Sequence, residues 1–338
     1  MIRAGAGRKL PVVFDFDNTI VCGDIGEATM AVLARSGLLT PQTLSIWPAP
    51  VVSQPDKGRV AIDTCTDVVD YYQALLSPTV HGKKDTSPLS TGYAWAVEIM
   101  NGLRLSKLIQ ATRTAARSST SGKPGFIEVT AGKTIVPTPV FYLEMVELLA
   151  ELIRLEYDVW IISASNVWSV RWTVLHGLNP LLRERGAAAI QADHVIGIST
   201  LLADAEDRLY KDSLLVQEDP NYAGLGTKAI SRFRLTSRLV FPLPVYSGKV
   251  ACIFDVIGRR PYLGAGDGPG DRAMLAVSEH QLWIAPHLEE RLRVSIRLGN
   301  SAGDNGWPVC KPPFTDVIAS STHGKTLSSR SAKVNFRR

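Results

Sequence analysis

The sequence predicts an α/β protein with a doubly wound parallel-sheet core and a mainly helical cap domain. Apolar runs at 12–16, 158–162 and 261–266 are typical of strands buried in a parallel sheet, and amphipathic helix patterns lie between them. Alternation of strands and helices indicates this class. More than a hundred residues separate the first two runs. That distance is too long for a structureless loop, so the intervening chain is predicted to form a second domain.

The composition is that of an ordinary globular protein. The chain has 338 residues, of which 45% are hydrophobic and 20% charged. No apolar run approaches the roughly 20 residues that a membrane helix needs, so no membrane partner is expected. No apolar signal-peptide segment is visible, and the four cysteines are scattered without metal-ligand spacing. We therefore expect a cytoplasmic protein with reduced thiols.

The net charge of +5 does not indicate a nucleic-acid-binding protein. From Lys311 onward six basic residues stand against Asp316 alone, which equals the whole excess. This segment is rich in Ser, Thr, Gly and Lys and has little apolar periodicity. Residues 311–338 are therefore predicted to be a basic, disordered tail, and no nucleic-acid partner is expected.

Two aspartates follow the first apolar run. Asp15 and Asp17 are two residues apart, so in an extended chain their side chains lie on the same side. Buried carboxylates need a cation, a proton or hydrogen-bond donors. The carboxyl ends of parallel strands form the crevice in which α/β proteins bind ligands. The alternative interpretation of the pair is a strand that runs into an Asp/Asn turn.

Four segments together resemble the motifs of the haloacid dehalogenase (HAD) superfamily of phosphotransferases. They are Asp15-Phe16-Asp17-Asn18-Thr19, the run 158–163 that ends in Ser163, Gly248-Lys249, and Gly266-Asp267-Gly268-Pro269-Gly270-Asp271. They occur in the family's order and with the expected strand and helix patterns. A dinucleotide fingerprint is excluded, because Pro269 stands where its third glycine would be.

The resemblance implies a role for each catalytic residue. Asp15 is expected to be the nucleophile that forms an aspartyl-phosphate, and Asp17 the general acid and then the general base. Ser163 is expected to donate a hydrogen bond to a phosphate oxygen, and Lys249 to pair with Asp15 and the phosphate. Asp17 favours a phosphatase, because dehalogenases proper lack this second aspartate and transport ATPases carry threonine there.

The resemblance also implies Mg²⁺. Its expected ligands are Asp15, the backbone carbonyl of Asp17 and Asp267, and Asp271 completes or orients the set.

The intervening residues resemble the C1-type helical cap of the phosphoserine-phosphatase branch and, more loosely, the cap of phosphorylcholine-phosphatase-like proteins. The predicted domains are a discontinuous core, 1–35 and 139–310, and a cap, 36–138. Such a cap excludes water and recognises the substrate. Five aromatic residues are candidates for a cage around a quaternary ammonium or, alternatively, for core packing: Trp47, Tyr71, Tyr72, Tyr93 and Trp95.

Three further residues are candidates for substrate contact. Asp24 lies where related phosphoserine phosphatases carry an acidic residue that meets the substrate's amino group, and it can equally be a helix cap. Ser165 and Asn166 follow Ser163 and face the same crevice if the strand ends there.

Several local expectations complete the assignment. Thr138-Pro139 is predicted to start a helix, and a helix over 167–176 is predicted to end at Gly177. Residues 201–244 are predicted to form a β-rich excursion such as a hairpin. Beyond Pro286 a helix is predicted, with Leu288, Leu292 and Ile296 on one face.

The sequence therefore predicts a magnesium-dependent phosphatase that acts on a small phosphorylated metabolite. An amino-alcohol or amino-acid phosphate, of the phosphoserine, phosphocholine or phosphoethanolamine type, is the expected substrate class. One alternative is a phosphotransferase or mutase with the same catalytic residues, and another is a non-catalytic phosphate-binding protein. The sequence does not indicate an oligomeric state.

Overall fold

The computed structural model describes residues 2–40, 51–54, 58–61, 65, 67–76, 79–80, 83–84, 92–119, 124–286, 292–297, 309–314 and 317–319. Its strands are β1 (Pro11–Phe14), β2 (Val21–Cys22), β3 (Val51–Gln54), β4 (Gly58–Ala61), β5 (Thr79–Val80), β6 (Lys83–Lys84), β7 (Phe126–Thr130), β8 (Thr134–Pro137), β9 (Val140–Tyr142), β10 (Asp158–Asn166), β11 (Val195–Ile198), β12 (Thr200–Ala203), β13 (Leu209–Tyr210), β14 (Arg234–Leu239), β15 (Leu263–Gly266), β16 (His280–Pro286), β17 (Leu292–Arg297), β18 (Val309–Phe314) and β19 (Val317–Ala319).

The helices alternate with these strands. They are α1 (Ile25–Arg35), α2 (Val68–Leu76), α3 (Gly92–Glu98), α4 (Leu105–Arg117), α5 (Leu143–Arg154), α6 (Val167–Thr173), α7 (Asn179–Glu184), α8 (Asp212–Glu218), α9 (Pro220–Ala223), α10 (Thr227–Ile230), α11 (Gly248–Cys252) and α12 (Arg272–Val277). Within the part of the chain that the structure describes, no helix is both long enough and apolar enough to cross a membrane.

The central sheet has seven strands in the order β11-β10-β1-β15-β16-β17-β18. The first five are parallel, and β17 and β18 continue the sheet in antiparallel pairing. β1 lies in the middle, where Val12 is in register with Val159 on one side and Leu263 on the other. The predicted α/β class with a parallel core sheet is confirmed.

Alternate side chains of β1 enter separate apolar clusters on the two faces of the sheet. Val12 and Phe14 belong to the larger cluster, which extends into the helices of the first insertion. Val13 belongs to the smaller one, with Ile162, Ile196, Cys252, Ile253 and Met274. A strand covered on both faces must be apolar along its whole length, which explains its continuous hydrophobic run.

The residues predicted as a cap form the first insertion, between β2 and β9. It contains the helices α2, α3 and α4, as expected, and three two-stranded hairpins, β3-β4, β5-β6 and β7-β8. α4 is held to the core through Thr112, whose hydroxyl lies 3.2 Å from that of Thr29 in α1 and 2.8 Å from that of Ser169 in α6. β2 pairs with β9, so the two ends of the insertion lie side by side.

A second insertion, between β11 and α11, braces the first. Its three-stranded antiparallel sheet, β13-β12-β14, agrees with the β-rich segment predicted for 201–244, and α8, α9 and α10 are added to it. The backbone of Gly102 donates to Leu235 at 2.9 Å, Leu235 donates to Leu103 at 2.9 Å, and Leu105 donates to Phe233 at 3.0 Å. These bonds fix α3 and α4 against the second insertion.

The helix predicted beyond Pro286 is wrong for the residues that the structure describes there. Residues 292–297 form β17, which pairs with β16 from Gln281↔Arg297 to Pro286↔Leu292. The reason is that Leu292, Val294 and Ile296 alternate with polar residues at a period of two, which is typical of a strand. The predicted tail is also partly structured, because β18 includes 311–314 and β19 lies within it. Residues 320–338 lie outside the described residues.

Two predicted helix ends are also wrong. Thr138-Pro139 leads into β9 rather than into a helix, because Val140 and Phe141 pair with β2; the helix begins at Leu143. The helix after Asn166 does not stop at Gly177, which lies in a π-helical turn (Val174–Leu178) that continues into α7. Gly177 keeps a negative φ, so it does not supply the left-handed conformation of a helix cap.

A buried ion pair joins α6 to the second insertion. The Arg171 guanidinium donates to both carboxylate oxygens of Asp212, and the Tyr222 hydroxyl donates to Asp212 at 2.6 Å. Trp168 donates its indole N–H to the Tyr222 oxygen at 3.0 Å. All four side chains are buried. A charge in such a place depends on its partner, because it has no access to water.

Replacing Arg171 by methionine is expected to lower the free energy of unfolding by about 3–5 kcal/mol, because the Asp212 carboxylate would stay buried without its counter-charge. Urea denaturation measures the change. Arg154→Met is the matched control: Arg154 pairs with Glu151 at 2.7 Å on the surface, and its loss is expected to cost less than about 1 kcal/mol. Equal losses in the two variants would contradict the importance of the buried pair.

Candidate active site

The predicted catalytic residues meet at the carboxyl edge of the parallel sheet. Asp15 and Asp17 directly follow β1, Ser163 lies in β10, and Asp267 directly follows β15. Lys249 is the second residue of α11 and is buried despite its charge. Parallel strands place their carboxyl ends at one edge, so residues more than 230 positions apart in sequence converge there.

Lys249 joins two of the carboxylates. Its Nζ donates to Asp15 Oδ1 and to Asp271 Oδ1, both at 2.6 Å. Burial would lower the pKa of Lys249, but the charges and hydrogen bonds of the two aspartates outweigh it and raise that pKa. Burial and the charge of Asp271 raise the pKa of Asp15 to about 6, whereas Lys249 opposes the rise. The contact with lysine therefore favours the ionised Asp15 near neutral pH.

Three carboxylates of this edge lie close enough to hold one cation. Asp15, Asp267 and Asp271 offer oxygens within 4.8 Å of one another. Burial and the charges of Asp15 and Asp271 raise the pKa of Asp267 to about 8. One lysine does not balance three buried carboxylates, and an all-oxygen set suits magnesium. The residues present therefore fit a divalent cation.

Other contacts hold the members of this cluster in place. The Thr19 hydroxyl lies 3.1 Å from Asp15 Oδ2 and 3.2 Å from Asp267 Oδ1. Asp271 Oδ2 accepts from the backbone N–H groups of Asp267 and Gly268 at 3.1 and 3.0 Å. Asp271 therefore uses one oxygen for Lys249 and the other for the loop that carries Asp267, which agrees with the orienting role expected of it.

Asp17 occupies a different environment from Asp15. Its Oδ2 accepts from Ser163 Oγ at 2.9 Å and from Ser165 Oγ at 2.8 Å, and its Oδ1 accepts from the backbone N–H of Ile25 at 2.8 Å. Burial, followed by the charges of Asp24 and Asp15, raises the pKa of Asp17 well above its ordinary value. The side chain of Asp17 is not part of the three-carboxylate cluster, and the expected contact with metal through its backbone carbonyl remains a prediction.

Ser163 contacts Asp17 rather than standing free. Its oxygen accepts from the backbone N–H of Ser165 at 2.9 Å, so its single hydrogen goes to Asp17. A hydrogen bond from Ser163 to phosphate would require this hydrogen to be released by Asp17. The phosphate contact expected of Ser163 therefore remains a prediction.

Asp24 and Asn166 both cap helices. Asp24 Oδ1 accepts from the backbone N–H of Glu27 at 2.8 Å at the start of α1. Asn166 Oδ1 accepts from that of Ser169 at 2.8 Å at the start of α6. The alternative interpretation of Asp24 as a cap thus describes its contacts, and the role expected of either residue in substrate binding stays a prediction.

A cavity of about 270 Å³, including its open mouth, adjoins this site between the sheet and the first insertion. It is lined by Gly26, Glu27, Met30, Tyr72, Tyr93, Ala96, Val97, Met100, Ala164, Ser165 and Asn166. Sequence reasoning missed Glu27, whose only signal was its place one turn after the capping Asp24. Gly26 was also missed: a Cβ there would lie 2.5 Å from Ser165 Oγ, so only glycine fits without a shift.

The aromatic residues proposed as a cage separate into two groups. Tyr72 and Tyr93 line the cavity, whereas Tyr71 and Trp95 are buried against each other with ring centroids 5.2 Å apart. Trp47 lies outside the described residues. Tyr71 and Trp95 therefore belong to the packing of the first insertion.

No protein-family model matches the sequence, and no curated protein is similar enough to count as a match. Among solved structures, a conserved protein of unknown function from Anaerococcus prevotii DSM 20548 is 16% identical with a TM-score of 0.48, over 82% of this chain and 81% of that chain. A substrate-bound phosphoserine phosphatase is 13% identical with a TM-score of 0.39, over 81% and 85% of the two chains. A phosphoserine phosphatase with an analogue of its phospho-aspartyl intermediate is 14% identical with a TM-score of 0.38, over 81% and 85%. Likeness at these levels carries no argument about function, which depends on the site itself.

Proposed function

We propose that this chain is a phosphatase of the HAD type that hydrolyses a small phosphomonoester through a phosphorylated Asp15. The observation that carries the proposal is the contrast between two aspartates two residues apart. Asp15 contacts the Lys249 ammonium at 2.6 Å, which favours its ionised form. Asp17 contacts the Ser163 and Ser165 hydroxyls and lies near other carboxylates, which favours its protonated form. Environments that separate two carboxyl groups in this way suit a nucleophile and a general acid.

In the proposed reaction the ionised Asp15 attacks phosphorus, and an oxygen–phosphorus bond forms as the bond to the leaving alcohol breaks. Asp17 gives its proton to the alcohol oxygen. In the second step Asp17 takes a proton from water, the water oxygen attacks phosphorus, and Asp15 is released. The protonation state of Asp17 is then restored, so the cycle is balanced. Lys249 offsets negative charge on the phosphoryl oxygens throughout.

We propose that Mg²⁺ is held by Asp15, Asp267 and Asp271, with the backbone carbonyl of Asp17 as the expected fourth contact. These carboxylates lie within 4.8 Å of one another. When bound, the ion supplies the positive charge that a dianionic phosphate needs beside several carboxylates.

The proposed substrate is small, because the cavity beside Asp17 has a volume of only about 270 Å³. The substrate class expected from the sequence, an amino-alcohol or amino-acid phosphate, is consistent with the acidic residues near this cavity, Asp24 and Glu27. The first insertion closes over the site, which would exclude bulk water from the phosphorylated aspartate.

Phosphate release from p-nitrophenyl phosphate by the full chain tests the proposal. We expect turnover with Mg²⁺, a fall of about two orders of magnitude or more with EDTA, and recovery when Mg²⁺ is restored. Turnover that is insensitive to EDTA would contradict the magnesium site. Transfer of the phosphoryl group to added glycerol without free phosphate would favour a phosphotransferase. Phosphate binding without any turnover would favour a non-catalytic binding protein.

A further inference from the structure

The cavity under the first insertion has an acidic end and apolar walls. Glu27 supplies the acid, and Met30, Met100 and Val97 supply apolar surface beside the rings of Tyr72 and Tyr93. Ser165 lies in its floor and contacts Asp17 at 2.8 Å, so the cavity begins next to the proposed general acid. A group that accepts a proton from Asp17 would therefore extend into this space.

Glu27 is the carboxylate that remains available in this cavity. Its Oε1 accepts from the Gln73 side chain in α2 at 2.8 Å, and its Oε2 accepts no hydrogen bond from a residue that the structure describes. Asp24, by contrast, has Oδ1 occupied by the Glu27 backbone N–H at 2.8 Å and by Ser165 Oγ at 3.3 Å. Capping the helix uses Asp24, so contact with a ligand's charged group falls to Glu27.

The electrostatic environment of Glu27 favours a cation. Burial and the charge of Asp24 raise the pKa of Glu27 to about 6, which reflects negative charge without a compensating positive group. None of the described residues that line the cavity is basic. The nearby Lys249 is already bound by Asp15 and Asp271. A carboxylate entering the cavity would meet like charges and no described partner.

The walls suit a small organic cation. Aromatic ring faces attract ammonium groups, and the attraction is stronger away from water. Thioethers such as Met30 and Met100 adapt to the shape of methyl groups. The Tyr93 side chain also reaches towards the catalytic cluster, because the charges of Asp24, Asp15 and Lys249 act on its hydroxyl. The tyrosine thus lies between the proposed phosphate position and the far end of the cavity.

We propose that this cavity receives the alcohol part of the substrate and that Glu27 selects an alcohol carrying an ammonium group and no carboxylate. The inference rests on the proposed phosphatase function and narrows it. Amino-alcohol phosphates such as phosphocholine and phosphoethanolamine fit, whereas phosphoserine does not, because its carboxylate would lie beside Glu27 and Asp24 without a described basic partner. Glu27 is then a specificity-determining residue that takes no part in the bond-making steps.

Turnover of a matched set of esters tests the selection. We expect kcat/KM for phosphocholine or phosphoethanolamine to exceed that for glycerol phosphate by about tenfold or more, and phosphoserine to be no better than glycerol phosphate. Glu27→Gln should reduce the ratio of cationic to neutral ester by about tenfold or more. Glu98→Gln is the matched control, because Glu98 lies on α3 but does not line the cavity, and it should leave the ratio unchanged. Equal use of all four esters, or an unchanged ratio in Glu27→Gln, would overturn the proposal.

Binding of choline chloride, measured by calorimetry, tests the cavity without turnover. We expect choline to bind the wild-type chain, to bind Glu27→Gln about tenfold or more weakly, and glycerol at equal concentration not to bind. Ethanolamine in the same titration separates a preference for methyl groups from a preference for charge alone. Glu27-dependent choline binding in a chain that hydrolyses no ester would support the cation site and contradict the phosphatase. Hydrolysis without Glu27-dependent binding or selection would support the phosphatase and overturn the cation site.

Discussion

Replacement of Asp15 by asparagine is expected to reduce turnover by about 10⁴-fold or more, because the amide cannot attack phosphorus to form the intermediate. The change is close to isosteric, and the asparagine oxygen can still accept from Lys249, which contacts Asp15 Oδ1 at 2.6 Å. Burial and the charge of Asp271 disfavour the ionised Asp15, as its raised pKa of about 6 indicates. The neutral amide is therefore not expected to destabilise the fold. Steady-state phosphate release and urea denaturation measure the two quantities.

Asp158→Asn is the matched control for this change. Asp158 lies at the start of β10, at the opposite edge of the same sheet, where it contacts His194 and Arg259 on the surface. Its replacement is expected to leave turnover unaffected. Substantial turnover in Asp15→Asn would mean that another group, such as water, attacks phosphorus directly.

Replacement of Asp17 by asparagine is expected to reduce turnover by about 10²- to 10⁴-fold, the usual contribution of a general acid or base. The loss should fall mainly on the second step when the leaving group is p-nitrophenol, because that alcohol leaves without a proton. We therefore expect a burst of p-nitrophenol equal to the enzyme concentration, followed by slow turnover. The phosphorylated chain should be isolable and should lose its label with hydroxylamine, as acyl phosphates do.

The ester used separates the two roles of Asp17. With glycerol phosphate the first step also needs the proton, so no burst is expected in Asp17→Asn. The double variant Asp15→Asn/Asp17→Asn should show neither burst nor label. If Asp17→Asn loses the same factor on both esters without labelling, then Asp17 acts by placing phosphate or metal rather than by moving protons.

Much of the core could be predicted because its signals are local. The runs that form β1, β10 and β15 are continuous in sequence and apolar on both faces, as a central parallel strand requires. Polar side chains directly after such runs must lie at the carboxyl edge of the sheet, and for that reason Asp15, Asp17 and Asp267 were placed together correctly. The catalytic roles assigned to them remain predictions.

The errors lie where distant pairing overrides local pattern. Val140 and Phe141 follow a good helix start, yet they form β9 because β2, more than a hundred residues away, pairs with them. Leu292 and Ile296 are spaced for a helix as well as for a strand, and the neighbouring β16 decides between the two. Short apolar segments therefore take the structure of the partner that covers them.

By itself the sequence determined the α/β class, the order of the core strands along the chain and the residues at their ends, because strand and helix periods are properties of neighbouring residues. Only the tertiary structure decided which groups meet. It joined Lys249 to Asp15 and Asp271, directed the Ser163 and Ser165 hydroxyls to Asp17, and used Asp24 as a helix cap while Glu27 lines the cavity. The physical reason is that hydrogen bonds and ion pairs between distant segments depend on how the sheet and its two insertions pack, which no local pattern records.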